Sequence, residues 1–459
     1  MIVAKFGGSS LASSKNVKKT IRTILQNRKR KVIVVSAPGA RFPGDTKVTD
    51  MLIEAGNPAT GARKQKTLVD EIIGRYAEIA TGINADMNII EAARDDLISR
   101  ISVKDFNKAR KLDNIKAFGE EWSARVISNA LIHMNIESTF MDPKKAGLKV
   151  TSEFGNAEPD RKASYDRLAS IANKPGVVLV PGFYGKTREG ETATFSRGGS
   201  DLTGSILAVA INAEVYENFS DIPGIYAANP NIVKNPKPKI IPKLTFRELR
   251  ELAYSGFRVF HDEAVRPLVE DAPHIPIHVR QADKPEQTGT LIVRKRRAIK
   301  GNVAGIASDR GFASITVEKH MMNREIGFGR RLFGIIEDHG FSYEHSPSSI
   351  DGISVVLKTR AQGMTQKDFD SIVDDIKDTL HPDTVRVRRD IAMIAIVGEG
   401  MNESVGIAAK ATAAISNAKV NIEMISQGAS EISIVYGVNK LKVERAVRSL
   451  YKALIGNRK

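Results

Sequence analysis

Two stretches of this sequence place charged side chains beside paired glycines. At residues 193–211 the chain reads ATFSRGGSDLTGSILAVAI, with Arg197, Gly198, Gly199, Ser200 and Asp201 ahead of an apolar run. Near the amino terminus, MIVAKFGGSS puts Lys5 just before Gly7, Gly8 and Ser9. Glycines let backbone N–H groups approach phosphate oxygens, and the start of a helix adds a partial positive charge. Phosphoryl transfer passes through a loose transition state, so positioned cations and N–H donors supply most of the catalysis. Lys5 suits phosphate oxygens as a mobile point charge, whereas the planar fork of Arg197 suits a carboxylate. Asp201 can orient Lys5 or help to order Mg²⁺. Ser200 and Asp201 also stand where a helix N-cap belongs, so local sequence equally reads Asp201 as a cap. Glu120 in FGEEWSAR is read as lying early on a helix after a glycine, either meeting a substrate ammonium or solvated at the helix start.

Strands and helices must hold these groups. VAKFGG reads as a buried strand entering a glycine turn, NVKKTIRTILQN has helical spacing, and KVIVVSAPG is a second apolar strand ending in Pro-Gly. Strand, helix, strand at this spacing predicts a βαβ unit and a parallel sheet. Residues 60–135 read as mostly helical. GVVLVPGFYG is an apolar strand running into glycines, and AEVYENFSDIPGIYAANPNIV is a strand running into a Pro/Gly loop. TFRELRELAYSGFRVF reads as a helix, IPIHVRQA and GTLIV as strands. Residues 1–293 are thus expected to form one three-layer α/β domain, with ligands outside the carboxyl ends of its strands.

After VRKRRAIKG the texture changes. Residues 313–389 follow a β-α-β-β-α-β order, and residues 391–454 repeat it, with IDGISVVL and ASEISIVY at matching places. The second copy lacks its last strand, which VAGIA at 303–307 could supply. The two repeats, 300–390 and 391–459, are therefore expected to interleave.

The bulk numbers exclude several classes. The 459 residues imply more than one domain. No apolar run reaches the roughly 18 residues of a membrane span, and no leader peptide is expected from the first residues. The absence of cysteine excludes disulfides and thiolate metal sites and fits a cytoplasmic enzyme. The net charge of +16 raises nucleic-acid binding, but the basic residues are dispersed and no nucleic-acid motif accompanies them. YGKT at 184–187 lacks the first glycine of a P-loop, and VGEGMNE and IGFGRRL lack the third glycine of a dinucleotide fingerprint. His133, His261, His274 and His278 show no metal-ligand spacing, and no metal-binding residues are assigned.

Taken together, KFGGSS, KVTD at 47–50, FGEEWSAR, GFYG, TFSRGGSD and SDIPGIYAANP followed by two repeats resemble an aspartokinase of the amino-acid kinase family with tandem ACT domains. The resemblance covers nearly the whole chain. It implies an αβα, carbamate kinase-like catalytic domain and two ferredoxin-like ACT domains. It implies transfer of the ATP γ-phosphate to the β-carboxylate of L-aspartate, the entry to lysine, threonine and methionine synthesis. Carried over by motif, Lys5 stabilises the transferring phosphate and Asp201 orients it. Thr49 and Glu120 contact aspartate, and Arg197, Gly198 and Ser200 grip its carboxylates. Gly7, Gly8, Ser9, Ser220, Asp221 and Tyr226 serve the nucleotide, ATP with Mg²⁺. Arg258 in GFRVFHD stands where many relatives have Lys, and ANPN replaces the usual ADPR. The resemblance also implies a homodimer or larger, with lysine or threonine as feedback effector. Effector contacts are carried to Met322, Glu325, Gly327, Phe328, Ser346, Ser348 and Ser349. The loop ARFPGDTK at 40–47 is long enough for a mobile cover. A kinase for another acidic substrate, such as glutamate, and a non-catalytic amino-acid sensor on the same fold are the alternatives. Intact Lys5, Arg197 and Asp201 argue against the sensor.

Overall fold

The fold is that of a computed structural model, which describes residues 1–105, 107–196, 198–257, 262–402, 404–428 and 430–456. The chain divides into two compact units. The first comprises Met1–Ile225, Ile240–Phe246 and Val259–Arg296; the second comprises Tyr226–Lys239, Arg247–Arg258 and Arg297–Lys459.

The first unit is built on the strands β1 (Ile2–Phe6), β2 (Arg30–Val35), β3 (Ser138–Phe140), β4 (Val177–Pro181), β5 (Tyr184–Lys186), β6 (Thr192–Thr194), β7 (Val215–Ser220), β8 (Lys243–Thr245), β9 (Ile277–Gln281) and β10 (Thr290–Val293). Eight of them form one sheet in the order β3-β4-β2-β1-β7-β9-β10-β8, and β5 and β6 make a separate hairpin. The stretch from β3 to β9 is parallel, but β10 runs antiparallel to β9. The expected parallel sheet is therefore mixed. Residues 282–289 are too few for the crossover of about a dozen residues that parallel pairing needs.

The helices of this part of the chain are α1 (Ser14–Leu25), α2 (Val48–Ala55), α3 (Ala62–Gly82), α4 (Asn88–Ser102), α5 (Lys108–His133), α6 (Pro143–Ala146), α7 (Arg161–Ala169), α8 (Gly199–Ala210), α9 (Phe246–Tyr254) and α10 (Asp262–Asp271). The Ser13 hydroxyl caps α1 by accepting from the Asn16 amide, and Val17, Ile21 and Ile24 give it one buried stripe. Apolar residues of α1 to α5 join Ala4, Phe6, Ile33, Val35 and Phe219 in one core. Strand alternation turns Val3 and Lys5 to the other face of the sheet. There α8 packs on β1, β2 and β7, and α7 and α10 pack on α8. The result is three layers, with β1 at the centre.

Beneath β7 lies a buried ion cluster. Glu217 receives Arg30 Nε at 2.5 Å and Arg280 Nη1 at 2.7 Å. Burial pushes the Glu217 carboxyl up, but the two guanidinium groups hold it below its ordinary value. Both guanidiniums also lie over the Phe219 ring, which stacks on Phe6. The basic run NRKRK at 27–31 thus includes a buried structural arginine, Arg30.

The second unit adds β11 (Gly305–Glu318), β12 (Tyr343–His345), β13 (Gly352–Lys358), β14 (Thr384–Val397), β15 (Ile422–Gln427) and β16 (Ser433–Asn439). Its helices are α11 (Phe328–Asp338), α12 (Gln366–Leu380), α13 (Ile407–Asn417) and α14 (Val443–Tyr451). All six strands form one sheet in the order β12-β13-β11-β14-β16-β15. β11 and β14 run antiparallel along their full lengths, from Gly305 opposite Val397 to Glu318 opposite Thr384. The half Phe312–Glu318 of β11 also pairs with β13, and the half Ile391–Val397 of β14 pairs with β16. The half-sheet of the second repeat therefore takes its outer strand, residues 305–310 of β11, from the chain ahead of the first repeat. Gly305, Ile306 and Ala307 lie opposite Val397, Ile396 and Ala395.

Two segments inside the expected boundary at 293 pack with this unit. The Ala227 carbonyl accepts from the Ile306 amide at 2.8 Å, and the Tyr451 hydroxyl accepts from the Lys239 amide at 2.9 Å. The Glu248 carboxylate on α9 accepts from the Glu399 amide at 2.8 Å. Among the described residues no helix is long and apolar enough to cross a membrane.

Removing Glu217 leaves two buried guanidiniums without their shared carboxylate. Glu217→Ala should cost about 3–5 kcal/mol, read as a lowered urea unfolding midpoint of the first unit. A midpoint equal to the parent's would contradict the role given to the cluster.

Candidate active site

Lys5 ends the apolar face of β1, opposite Val34 of β2 and Asn218 of β7. Its side chain points toward α8 and is 9% exposed. The ammonium meets Asp201 Oδ1 at 2.6 Å. A Cβ at Gly7 would lie 3.5 Å from Lys5 Nζ, so the glycine loop borders the ammonium directly. Gly8 and Gly39 cross at the ends of β1 and β2, where the Gly39 amide donates to the Gly8 carbonyl at 2.8 Å. A Cβ on Gly39 would sit 2.7 Å from the Gly8 carbonyl carbon, which only glycine avoids. Ser9 is exposed just beyond this crossing.

Asp201 is not the N-cap of α8. That place belongs to Gly198, at φ +77°, and Asp201 lies three residues further on. Its carboxylate turns away from the helix end to Lys5 and Asn218, because a buried ammonium is a stronger partner than a backbone amide. Among the described residues no side chain caps α8. Ser200, in the same first turn, packs against Gly182 at the end of β4. Arg197 lies outside the described residues. The loop leading to it is fixed by buried Asp113, which accepts from the Thr194 amide at 2.7 Å and hydroxyl at 2.8 Å. Lys116 Nζ neutralises the same carboxylate at 2.7 Å.

Glu120 differs most from its sequence reading. It sits in the middle of α5, not at its start, and is 5% exposed. The helix begins a dozen residues earlier because Asn107 caps it, accepting from the Arg110 amide. Burial pushes the Glu120 carboxyl from its ordinary 4.5 up to about 8, against the opposing pull of the Ala37 amide and the Lys116 charge. Its Oε2 has no hydrogen-bond partner among the described residues. An orphaned buried carboxyl oxygen beside a strand end is what a ligand cation would satisfy.

Thr49 lies half-buried in the first turn of α2, whose start is tied to the β2 loop by the Val48 amide on the Pro38 carbonyl at 3.1 Å. Ser220 ends β7, and its hydroxyl donates to Asp221 at 3.0 Å. Tyr226 opens the segment that packs with the second unit, and Arg258 lies outside the described residues. The 40–47 loop is tethered. Buried Arg75 of α3 donates to Asp45 at 3.0 Å and to the Gly39 carbonyl at 3.1 Å, and Arg41 grips the same aspartate.

The residues to which the resemblance carries effector contacts lie in the second unit. Met322 and Phe328 are buried in the core of the first repeat, so their side chains serve packing. Glu325 is held by Lys319 at 2.7 Å and by Arg331. Gly327, at φ +79°, starts α11. Ser346, Ser348 and Ser349 occupy the β12–β13 turn, where the Ser349 amide donates to the Gly352 carbonyl at 2.7 Å.

Sequence reading missed Asn218, Asp113 and Arg75. Little in the letters marks Asn218, since β7 reads VYENFS with Glu217 beside it, and its register opposite Lys5 appears only in the structure.

The comparisons with known proteins agree with this geometry. The amino acid kinase family matches residues 1–281 and an ACT domain matches residues 394–454. Aspartokinase 3 of Bacillus subtilis is 43% identical over 455 residues, 98% of each chain. The crystal structure of Clostridium acetobutylicum aspartate kinase superposes with a TM-score of 0.82 at 35% identity, covering 99% of both chains. Two structures of Escherichia coli aspartokinase III share the fold at 24% identity over 99% of each chain. The one with aspartate and ADP has a TM-score of 0.75, and the one with lysine and aspartate 0.72. With a buried lysine–aspartate pair among glycine loops at its strand ends, the chain belongs to the amino acid kinase family and, within it, to the aspartokinases.

Proposed function

We propose that the Lys5–Asp201 pair is the centre of phosphoryl transfer from ATP to the β-carboxylate of L-aspartate. The observation that carries this reading is the 2.6 Å contact of a buried ammonium with a carboxylate beside the glycine loop. An oxygen of the aspartate β-carboxylate forms a bond to the γ-phosphorus, the bond to the β,γ-bridging oxygen breaks, and ADP leaves with that electron pair. The nucleophile is already ionised near pH 7, so no general base is required. Lys5 donates to the oxygens that gain charge, the loop of Gly7, Gly8 and Ser9 lets the phosphate approach the backbone, and Asp201 keeps Lys5 aimed. Thr49, Arg197, Gly198 and Ser200 hold the substrate carboxylates. Ser220, Asp221, Tyr226 and Arg258 serve the nucleotide.

Magnesium in such sites is held by substrate phosphates together with one or two carboxylates. Asp201 is a carboxylate of that kind, so the donor chemistry fits, and the bound ion neutralises phosphate charge. Glu120 receives the aspartate ammonium, which supplies the missing partner of its Oε2.

We read the second unit as the sensor of an amino-acid end product, lysine or threonine. Its contacts are assigned to Met322, Glu325, Gly327, Phe328, Ser346, Ser348 and Ser349. β12 and β15, the end strands of its sheet, leave edges on which two copies could pair as a homodimer. The cysteine-free composition fits the reducing cytoplasm.

Trapping the acyl phosphate as a hydroxamate tests the reaction. Product should form with L-aspartate and ATP–Mg²⁺, not with glutamate, and should fall on adding lysine or threonine. Asp201→Ala should retain the fold and lose nearly all turnover. Full activity in that variant would sink the mechanism, and product from glutamate alone would move the chain to the alternative kinase.

Glu120 gives two further expectations. Its carboxyl sits near 8 when folded and near 4.5 when unfolded, so the folded chain holds the extra proton between those values. Stability should therefore fall as pH rises from about 4.5 to 8, and Glu120→Gln should remove that part of the slope in urea titrations. Binding the aspartate ammonium should expel the proton. Calorimetry at pH 7 in two buffers of different ionisation heat should show proton release in the parent and none in Glu120→Gln. Equal heats in both buffers for the parent would remove Glu120 from the ammonium site.

A further inference from the structure

Asn218 belongs to none of the motifs that carry the family resemblance, yet it touches the catalytic pair. It lies on β7, is 4% exposed, and is the register partner of Lys5. Its Nδ2 donates to Asp201 Oδ1 at 2.5 Å, the same oxygen that Lys5 meets at 2.6 Å. Nδ2 also lies 3.3 Å from the Tyr216 hydroxyl, which donates to the Asp201 carbonyl at 3.2 Å. This network fixes the orientation of the amide. A carboxylate only accepts, and the Tyr216 hydrogen is already used, so Asn218 must present its NH₂.

We propose that Asn218 is a positioning residue for phosphoryl transfer, holding the Asp201 carboxylate in place while Lys5 turns its donors to the transferring phosphate. The proposal rests on the reading of Lys5 and Asp201 as the catalytic pair. A lysine ammonium carries three donors on a flexible stem and must share them between Asp201 and the phosphate. As it leans toward the phosphate, its grip on Asp201 loosens, and the incoming phosphate charge repels the carboxylate. A neutral amide donor on a rigid central strand holds that oxygen and adds no charge of its own. It does so from beneath, on the sheet, while α8 fixes the Asp201 backbone. Among the described residues, the titratable groups that it contacts are Asp201 and Tyr216, and Lys5 meets the same Asp201 oxygen.

The test uses the full chain in the hydroxamate assay. Asn218→Leu keeps the branching and heavy-atom count of the side chain and removes the donor. It should lower kcat by roughly tenfold to a hundredfold, the usual scale for a misplaced catalytic group, with KM for ATP and aspartate within about twofold of the parent. Asn218→Asp keeps the shape, and the introduced carboxyl donates only while protonated. Its activity relative to the parent should therefore be highest at the lowest pH measured and fall as pH rises. An unchanged kcat in Asn218→Leu would overturn the proposal. So would an Asn218→Asp activity ratio that stays flat with pH, because a merely structural hydrogen bond would not follow that ionisation. Loss of activity in Asp201→Ala beside a parental Asn218→Leu would overturn this proposal alone. Full activity in Asp201→Ala would overturn the underlying reading as well.

Discussion

Lys5 stands at the carboxyl end of a central strand with little water around it, and an ammonium in that setting costs several kcal/mol unless a carboxylate meets it. Asp201 meets it from the first turn of a helix almost 200 residues further along the chain. That one contact constrains much of the first unit. It fixes the rotation of α8 over the sheet and selects the face of β1 that carries the lysine. It also requires the chain before α8 to turn sharply at Gly198, where only a residue tolerant of positive φ enters the helix cheaply. The apolar core of α1 to α5 lies on the opposite face, so bulk stability and the charged site are separated by the thickness of one sheet.

Around the pair, the loops are held by buried polar groups from outside the loops themselves. Asp113 secures the strand leading to Arg197 through the amide and hydroxyl of Thr194. Arg75 secures the 40–47 loop and the Gly39 carbonyl. Each is a charged side chain satisfied by several partners, the arrangement in which a buried charge orders its surroundings instead of destabilising them. Glu120 is the exception. It is buried to a similar degree but keeps one oxygen without a partner among the described residues. The site thus combines a completed frame with one unsatisfied carboxyl group.

The sequence made some of this legible and hid the rest for identifiable reasons. Lys5, Asp201 and the glycine loops could be read because close approach to phosphate restricts the residue types that fit, and the restriction shows in a handful of adjacent letters. The two repeats could be read from periodicity. Glu120 was misplaced because a glycine in FGEE looks like a helix boundary, whereas Gly119 packs against Ala37 inside a helix of 26 residues. For Asp201 the local letters left a helix cap and a partner of Lys5 equally open, because Lys5 is almost 200 residues away and local sequence cannot show a long-range ion pair. Asn218 and Arg75 escaped for the same reason: each acts at a distance in sequence on a residue whose motif was visible. The attachment of 226–239 and 247–258 to the second unit has no local signature at all.

The long strands β11 and β14 each pass through both repeats of the second unit. The two repeats therefore have no joint at which they could be severed. A cut between residues 390 and 391 divides β14 and leaves the second half-sheet without its outer strand, residues 305–310, which stay with the first. Neither repeat can melt without exposing the backbone hydrogen bonds of its twin, so the pair behaves as one cooperative body. A small molecule that tightens one half must stiffen the other, and inheritance faces the same constraint: the tandem has to be gained, lost or exchanged whole.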